Sequence, residues 1–267
     1  MKSAVTISLV PEARGGPFVF GLDLAEGVQQ AAALGFDAVE VFPASAESLD
    51  AAALRGLLAT HHLGLAAIGT GAGWLRQKLT LTSHEPAVRD RALAFVRGII
   101  EVAGSFGAPA IIGSMQGRWS DDAPKPVALR ILADALGDLG QHAKRHGVPL
   151  LYEHLNRYET NLCNTVADAV AVIRDLDNVK LLADLFHMNI EESNLAAAIR
   201  EGGRHIGHVH FADSNRRAAG LGHTDFAPVI AALRDVGYTG YLSAEVLPLP
   251  DAATAAKQTI ASFRRLC

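Results

Sequence analysis

Short apolar runs alternate with longer stretches of helical period eight times along this 267-residue chain, and that alternation constrains the fold more than any other feature. The predicted strands are Val5–Val10, Ala38–Phe42, Leu65–Gly69, Ala110–Ser114, Pro149–His154, Lys180–Asp184, His205–Phe211 and Gly240–Val246. Helical patterns fill the gaps at Leu24–Leu34, Ala46–His61, Pro86–Phe106, Pro126–His146, Val166–Asp175, Ser193–Glu201, Phe226–Val236 and Ala252–Leu266. Gly35, Gly107, Gly147 and Gly237 each stand between a helix and the next strand, where a left-handed residue ends a helix well. Steps near the roughly 30 residues of a βαβ unit imply parallel pairing. Eight of them close as a single (β/α)₈ barrel of the α/β class, one domain over residues 1–267, with an open doubly wound sheet as the competitor. Closure is favoured because charged residues fall at successive strand ends in the second half of the chain. Those residues meet only on a ring.

Composition narrows the partners. The chain is 49% hydrophobic and 19% charged, which fits a substantial core. Its net charge is −4, with no basic run beyond pairs such as Arg216–Arg217 and Arg264–Arg265, so no nucleic-acid partner is expected. No apolar run approaches the roughly 18–20 residues of a membrane span, and Met1–Ser8 runs directly into strand-like alternation without a signal-peptide pattern. Cys163 and Cys267 show no CxxC spacing, which suits a reducing compartment. The expectation is a cytoplasmic protein with no membrane partner.

Four strand ends carry the chemistry. They read LLYEH, LLAD, HVHF and LSAEV, so Glu153, Asp184, His210 and Glu245 end strands five to eight. Alternation places Leu151 with Glu153, His208 with His210, and Ser243 with Glu245 on the inward faces. Three carboxylates in one buried site repel, and each unpaired charge there costs several kcal/mol. Some must be protonated, or a cation must lie among them. Oxygen-rich ligation with one imidazole suits Mn²⁺, with Mg²⁺ or Co²⁺ as alternatives. For any one of these acids, capping the following helix is an equally good explanation. Four in register on consecutive strands fit a shared ion better.

The motifs EHLNRYET, DLFHMN, HVHFADSNRR and SAEVLPLP, with AIGTGAGWL and APAIIGSMQGR in the first half, resemble the D-tagatose 3-epimerase group of the xylose-isomerase-like TIM barrels. Within that group the combination is most similar to the epimerases of 5-keto-L-gluconate. The resemblance implies metal ligation by Glu153, Asp184, His210 and Glu245, and substrate-hydroxyl contacts by Glu159, His187 and Arg216. It also implies a small sugar or sugar acid as substrate and allows a homo-oligomer. Inverting a carbon next to a ketone needs a proton removed from one face and returned to the other. Glu153 and Glu245, from strands five and eight, are the expected pair. Arg118, on the loop after strand four, is a further candidate, able to clamp a substrate carboxylate. Related reactions remain open: aldose–ketose isomerisation, hydroxypyruvate isomerisation or inosose dehydration. An endonuclease IV-like repair nuclease is a remote alternative, disfavoured by the acidic charge.

Other signals carry less. The glycines of Gly69–Gly73 miss the spacing of a dinucleotide loop, since neither frame has its last glycine, and they read as a rim loop in which Trp74 forms a pocket wall or simply packs. His142 and His146 share a helix face without a third ligand. His208 belongs one layer below His210, Asp225 is a helix cap, and Glu40 ends strand two, where it could line the rim, with nothing to make it specific.

Overall fold

The computed structural model describes residues 1–267. Eight parallel strands form the barrel: β1 (Lys2–Ser8), β2 (Ala38–Phe42), β3 (Gly64–Gly69), β4 (Ala110–Ile112), β5 (Leu150–Glu153), β6 (Val179–Asp184), β7 (Ile206–His210) and β8 (Tyr241–Ala244). Each pairs with its sequence neighbours, and β8 closes on β1 through Lys2–Tyr241 to Val5–Ala244. A two-residue strand, Phe20–Gly21, extends the sheet beside the end of β1. The ring expected from the eight repeats is therefore closed.

The outer helices are α1 (Leu24–Leu34), α2 (Ala51–His61), α3 (Ala72–Gln77), α4 (Pro86–Gly104), α5 (Lys125–Lys144), α6 (Val166–Ile173), α7 (Leu185–Glu191), α8 (Leu195–Gly202), α9 (Phe226–Asp235) and α10 (Ala252–Leu266). Side chains of Asp23, Asp50, Thr165, Asn194, Asp225 and Asp251 accept first-turn N–H groups, each worth about 1 kcal/mol. Gly35, Gly107, Gly147 and Gly237 all adopt positive φ, as their positions between helix and strand suggest. Helix α2 starts later than the periodicity predicts. Ser45 and Ser48 bond to each other's backbone N–H and hold a turn, so the helix waits for its Asp50 cap.

Two short helices lie outside the predicted set. Helix α7 begins directly from β6, capped by Asp184, and α3 occupies the expected rim loop. The glycines beside α3 serve close packing. A Cβ on Gly69 would sit 2.8 Å from the Phe42 ring, and one on Gly73 would sit 2.6 Å from Met115 Sδ.

Most of the apolar core lies between the strands and the helices, in one cluster from Val5 to Ile260. The bore has its own layers. Ala4, Ala38 and Ala66 pack with Tyr241 at the bottom, and Ala67, Ile111, Leu151 and Leu182 fill the middle. Above Leu151, Leu182 and His208, two residues on, come Glu153, Asp184 and His210. The packed middle layer closes the bore beneath them, so the polar layer opens only at the C-terminal mouth.

Candidate metal centre and catalytic pocket

Glu153, Asp184, His210 and Glu245 converge, with one ligand atom from each lying within 4.8 Å of all the others. His210 Nδ1 stands 3.3 Å from Glu153 Oε1, 3.4 Å from Asp184 Oδ2 and 3.7 Å from Glu245 Oε2. Glu153, Asp184 and His210 end their strands, whereas Glu245 lies one residue past β8. Asp184 fills both roles open to a strand-end acid. Its Oδ1 accepts the Phe186 and His187 N–H groups at the start of α7, leaving Oδ2 for the cluster.

The donor set fits a hard or borderline divalent cation, with three carboxylates and one imidazole converging. Glu153 Oε1 is buried without a hydrogen-bond partner, a costly arrangement unless something else occupies its lone pairs. Gly113 faces Glu153 closely enough that a Cβ there would collide with Oε2. Behind the carboxylate, Tyr152 Oη donates to Gln116 Oε1 (2.8 Å), and Gln116 Nε2 donates to the Gly113 and Glu153 carbonyls. That network fixes the backbone carrying Glu153.

Glu40, without a specific role on sequence grounds, acquires one in the structure. Buried on β2, it lies 3.2 Å from His210 Nε2 and 2.8 Å from His208 Nε2. Burial opposes ionisation, yet the His210 and His208 imidazoles hold its carboxyl well below the usual range. It therefore braces the far nitrogen of His210 while Nδ1 faces the cluster, the arrangement that orients metal-ligating histidines. A Glu40→Gln substitution should weaken Mn²⁺ binding about 10–100-fold, measured by calorimetric titration, with little change in fold. No period or motif distinguishes this residue, because its partners lie 168 and 170 positions away.

Burial pushes Glu153 up to about 8; His210 opposes the shift, and the charges of Glu245 and Asp184 reinforce it. His210 is raised despite burial, by Glu40, Glu245, Asp184 and Glu153 around it. In the metal-free protein both therefore hold protons that an unfolded chain releases. His187, His154 and His208 act oppositely, since burial lowers all three, but their effect is complete only about one pH unit above the ordinary histidine value of 6.5. From about pH 7.5 to 8, metal-free stability should fall with rising pH, on the order of 1 kcal/mol per pH unit. Calorimetric melting in chelator checks this. A flat or rising Tm contradicts it, and Glu153→Gln should reduce the slope.

A cavity of about 470 Å³ opens above the cluster, lined by Glu153, His210 and Glu245 together with Glu159, His187 and Arg216. Asn156 Nδ2 donates to His187 Nδ1 (2.7 Å), which leaves His187 Nε2 as the N–H directed at Glu153 (3.8 Å) and Asp184 (3.7 Å). Arg216 donates to Glu245 Oε2 (2.9 Å) and Glu159 Oε1 (3.3 Å) and lies over the Phe186 ring. Its φ of 58° is strained for an arginine, and the surrounding loop maintains it. Arg216 N donates to Asp213 O, Leu247 N donates to Arg216 O, and the Asp213 carboxylate accepts three loop N–H groups. All seven residues suggested by the motifs thus meet at one site.

Arg118 does not reach this cavity. After β4 the chain makes a tight turn at Ser114–Gln116, and Gly117 at φ 90° carries Arg118 outward, where it lines a neighbouring cavity. Arg14, on the loop after β1, lines the catalytic cavity instead. The same loop is tied to α3 by Arg76 Nε and Glu12 Oε1 at 3.0 Å. Trp74 forms part of the pocket wall.

Residues 28–266 match the family described as the xylose isomerase-like TIM barrel. The chain belongs to this family. Among its relatives in the family, it is 32% identical to D-psicose 3-epimerase of Agrobacterium fabrum, over 80% of this chain and 75% of that protein. It is 34% identical to L-ribulose 3-epimerase of Mesorhizobium japonicum, over 79% and 71%. A shorter match, 39% identical over 51% of this chain and 53% of the other, is to 3-dehydro-D-guloside 4-epimerase of Escherichia coli. A solved structure of L-ribulose 3-epimerase superposes with a TM-score of 0.82 at 27% identity, covering 99% of this chain and 93% of that one. These xylose isomerase-like relatives are epimerases, and no helix of the present chain is long and apolar enough to cross a membrane.

Proposed function

We propose that the chain is a divalent-metal-dependent sugar epimerase that inverts a carbon next to a ketone. The convergence of Glu153, Asp184, His210 and Glu245 at the closed end of a sugar-sized cavity carries this reading. Those four residues would hold the ion, with Mn²⁺ as the preferred occupant. The bound cation would stabilise negative charge developing on the ketone oxygen.

Glu153 and Glu245 act as the proton-transfer pair. One carboxylate takes the proton from the carbon beside the ketone, and the C–H electron pair becomes the double bond of an enediolate. The other carboxyl returns a proton to the opposite face, the double bond re-forms the ketone, and exchange with water resets the pair. Burial raises both carboxyls in the metal-free protein, and a bound cation would lower them again, leaving a carboxylate able to accept a proton. His187 Nε2 and Arg216 donate to substrate oxygens, and Glu159 accepts from a hydroxyl. The packed layer of Ile111, Leu151 and Leu182 below keeps bulk water from entering through the barrel floor.

The whole chain acts as one domain, and its place is the cytoplasm. NMR of ketoses turned over in D₂O with Mn²⁺ tests the reading. One deuteron should enter at the inverted carbon while the carbonyl stays in place. Migration of the carbonyl to the neighbouring carbon would instead assign an aldose–ketose isomerase.

A further inference from the structure

A second cavity, of about 580 Å³, lies beside the catalytic one, and Trp74, Ser114 and Glu159 line both. The two spaces therefore meet at these residues. Each alone is large enough for a small-molecule ligand. The second has a distinct lining: two aromatic rings, Trp74 and Tyr158, among hydroxyl groups, His84 and Arg118. Both rings are unusually open, with Trp74 39% and Tyr158 77% exposed. Lys78 Nζ sits over the Trp74 ring at 4.7 Å and steadies it.

One turn connects the two spaces. The N–H groups of Glu159 and Thr160 donate to Asn156 O, and the Tyr158 N–H donates to Asn156 Oδ1. That turn presents Glu159 to the catalytic cavity and Tyr158 to its neighbour, while Asn156 also holds His187. Arg118 is exposed there, its planar fork of donors suited to a pair of adjacent oxygens. Flat aromatic faces cover the C–H face of a pyranose, and hydroxyl, imidazole and guanidinium groups bond its edge. A free six-carbon ketose at the acid pair would leave this space unused.

We propose that the second cavity binds a glycosyl unit attached to the reacting sugar, so that the enzyme acts on keto-glycosides. This rests on the epimerase reading; the glycosyl unit would add binding energy shared equally by the ground state and the transition state, away from the reacting carbon.

The test compares the methyl glycoside of a 3-keto-hexose with a 3-keto-disaccharide, using the full-length Mn²⁺-loaded protein. Binding to the metal-free protein is followed separately by fluorescence of its two tryptophans, Trp74 and Trp119. The disaccharide is expected to show a KM at least ~10-fold lower than the methyl glycoside and to change the fluorescence. Tyr158→Ala and Arg118→Ala should each remove most of that preference, raising KM for the disaccharide while its kcat holds. Equal KM values for both substrates, or no fluorescence response to the disaccharide, would overturn the proposal while leaving the epimerase reading intact. Disaccharide binding lost in Tyr158→Ala, without turnover of any sugar, would support the cavity and sink the epimerase reading instead. A changed subunit mass in Tyr158→Ala by ultracentrifugation would assign the aromatics to contact between copies and overturn the proposal.

Discussion

Glu153→Gln and Glu245→Gln are each expected to lower kcat by about 10²–10⁴-fold, the usual contribution of a positioned acid–base group, or by more if the ion is also loosened. Glutamine keeps the size of the side chain and can still accept a hydrogen bond, but it cannot take a proton from carbon. The two variants should differ in what they retain. Removing one member of a two-sided pair leaves the other able to remove and return a proton on its own face. Each single variant should therefore exchange the substrate's proton with D₂O from one epimer only, without forming the other epimer. NMR of each epimer incubated separately reads this out. Exchange of both epimers at equal rates in either variant would mean that proton transfer does not use these carboxyls.

Asp184→Asn should raise the Mn²⁺ dissociation constant by at least about 100-fold and abolish turnover at micromolar metal, because a full charge leaves the cluster. The fold should survive. The Asp184 carboxylate has two tasks, and asparagine preserves the one performed by Oδ1, accepting the Phe186 and His187 N–H groups of α7. Asp184→Ala loses both tasks and should be less stable than Asp184→Asn by about 1 kcal/mol, the usual cost of a lost cap. Metal titration and chemical denaturation in chelator separate the two effects. An alanine variant as stable as the asparagine variant would show that the cap contributes little. An asparagine variant that binds metal normally would remove Asp184 from the candidate ligands.

Much of the barrel was legible because its signals are local. Alternation marked every strand to within a few residues, and the helix-ending glycines stood where positive φ was needed. The metal candidates were legible for the same reason: parallel strands in register bring equivalent ends together, so Glu153, Asp184 and His210 align from the sequence alone. Glu159, His187 and Arg216 were reached by resemblance, since each sits on a loop or short helix whose path no periodicity describes. The β4 loop shows the limit. Arg118 follows a strand as Glu153 does, yet the Ser114–Gln116 turn and the positive φ of Gly117 send it into the neighbouring cavity. For a related reason, Glu40 reads from the sequence only as a rim residue without a specific role, and Arg14 is missed. A carboxylate on β2 gains meaning only from histidines on β7, and an arginine on the first loop only from how that loop folds over the mouth.

Two clusters could compete for an ion, since Glu40, His208 and His210 also bring ligand atoms within 4.8 Å. Anomalous diffraction at the manganese edge, from crystals grown with Mn²⁺, distinguishes them directly. The expected map has one peak per chain on the Nδ1 side of His210, at roughly 2.0–2.2 Å from Glu153, Asp184, His210 and Glu245, with Glu40 bonded to the imidazole from behind. A peak between Glu40 and His208, or none near His210, would contradict the arrangement on which the proposed chemistry depends.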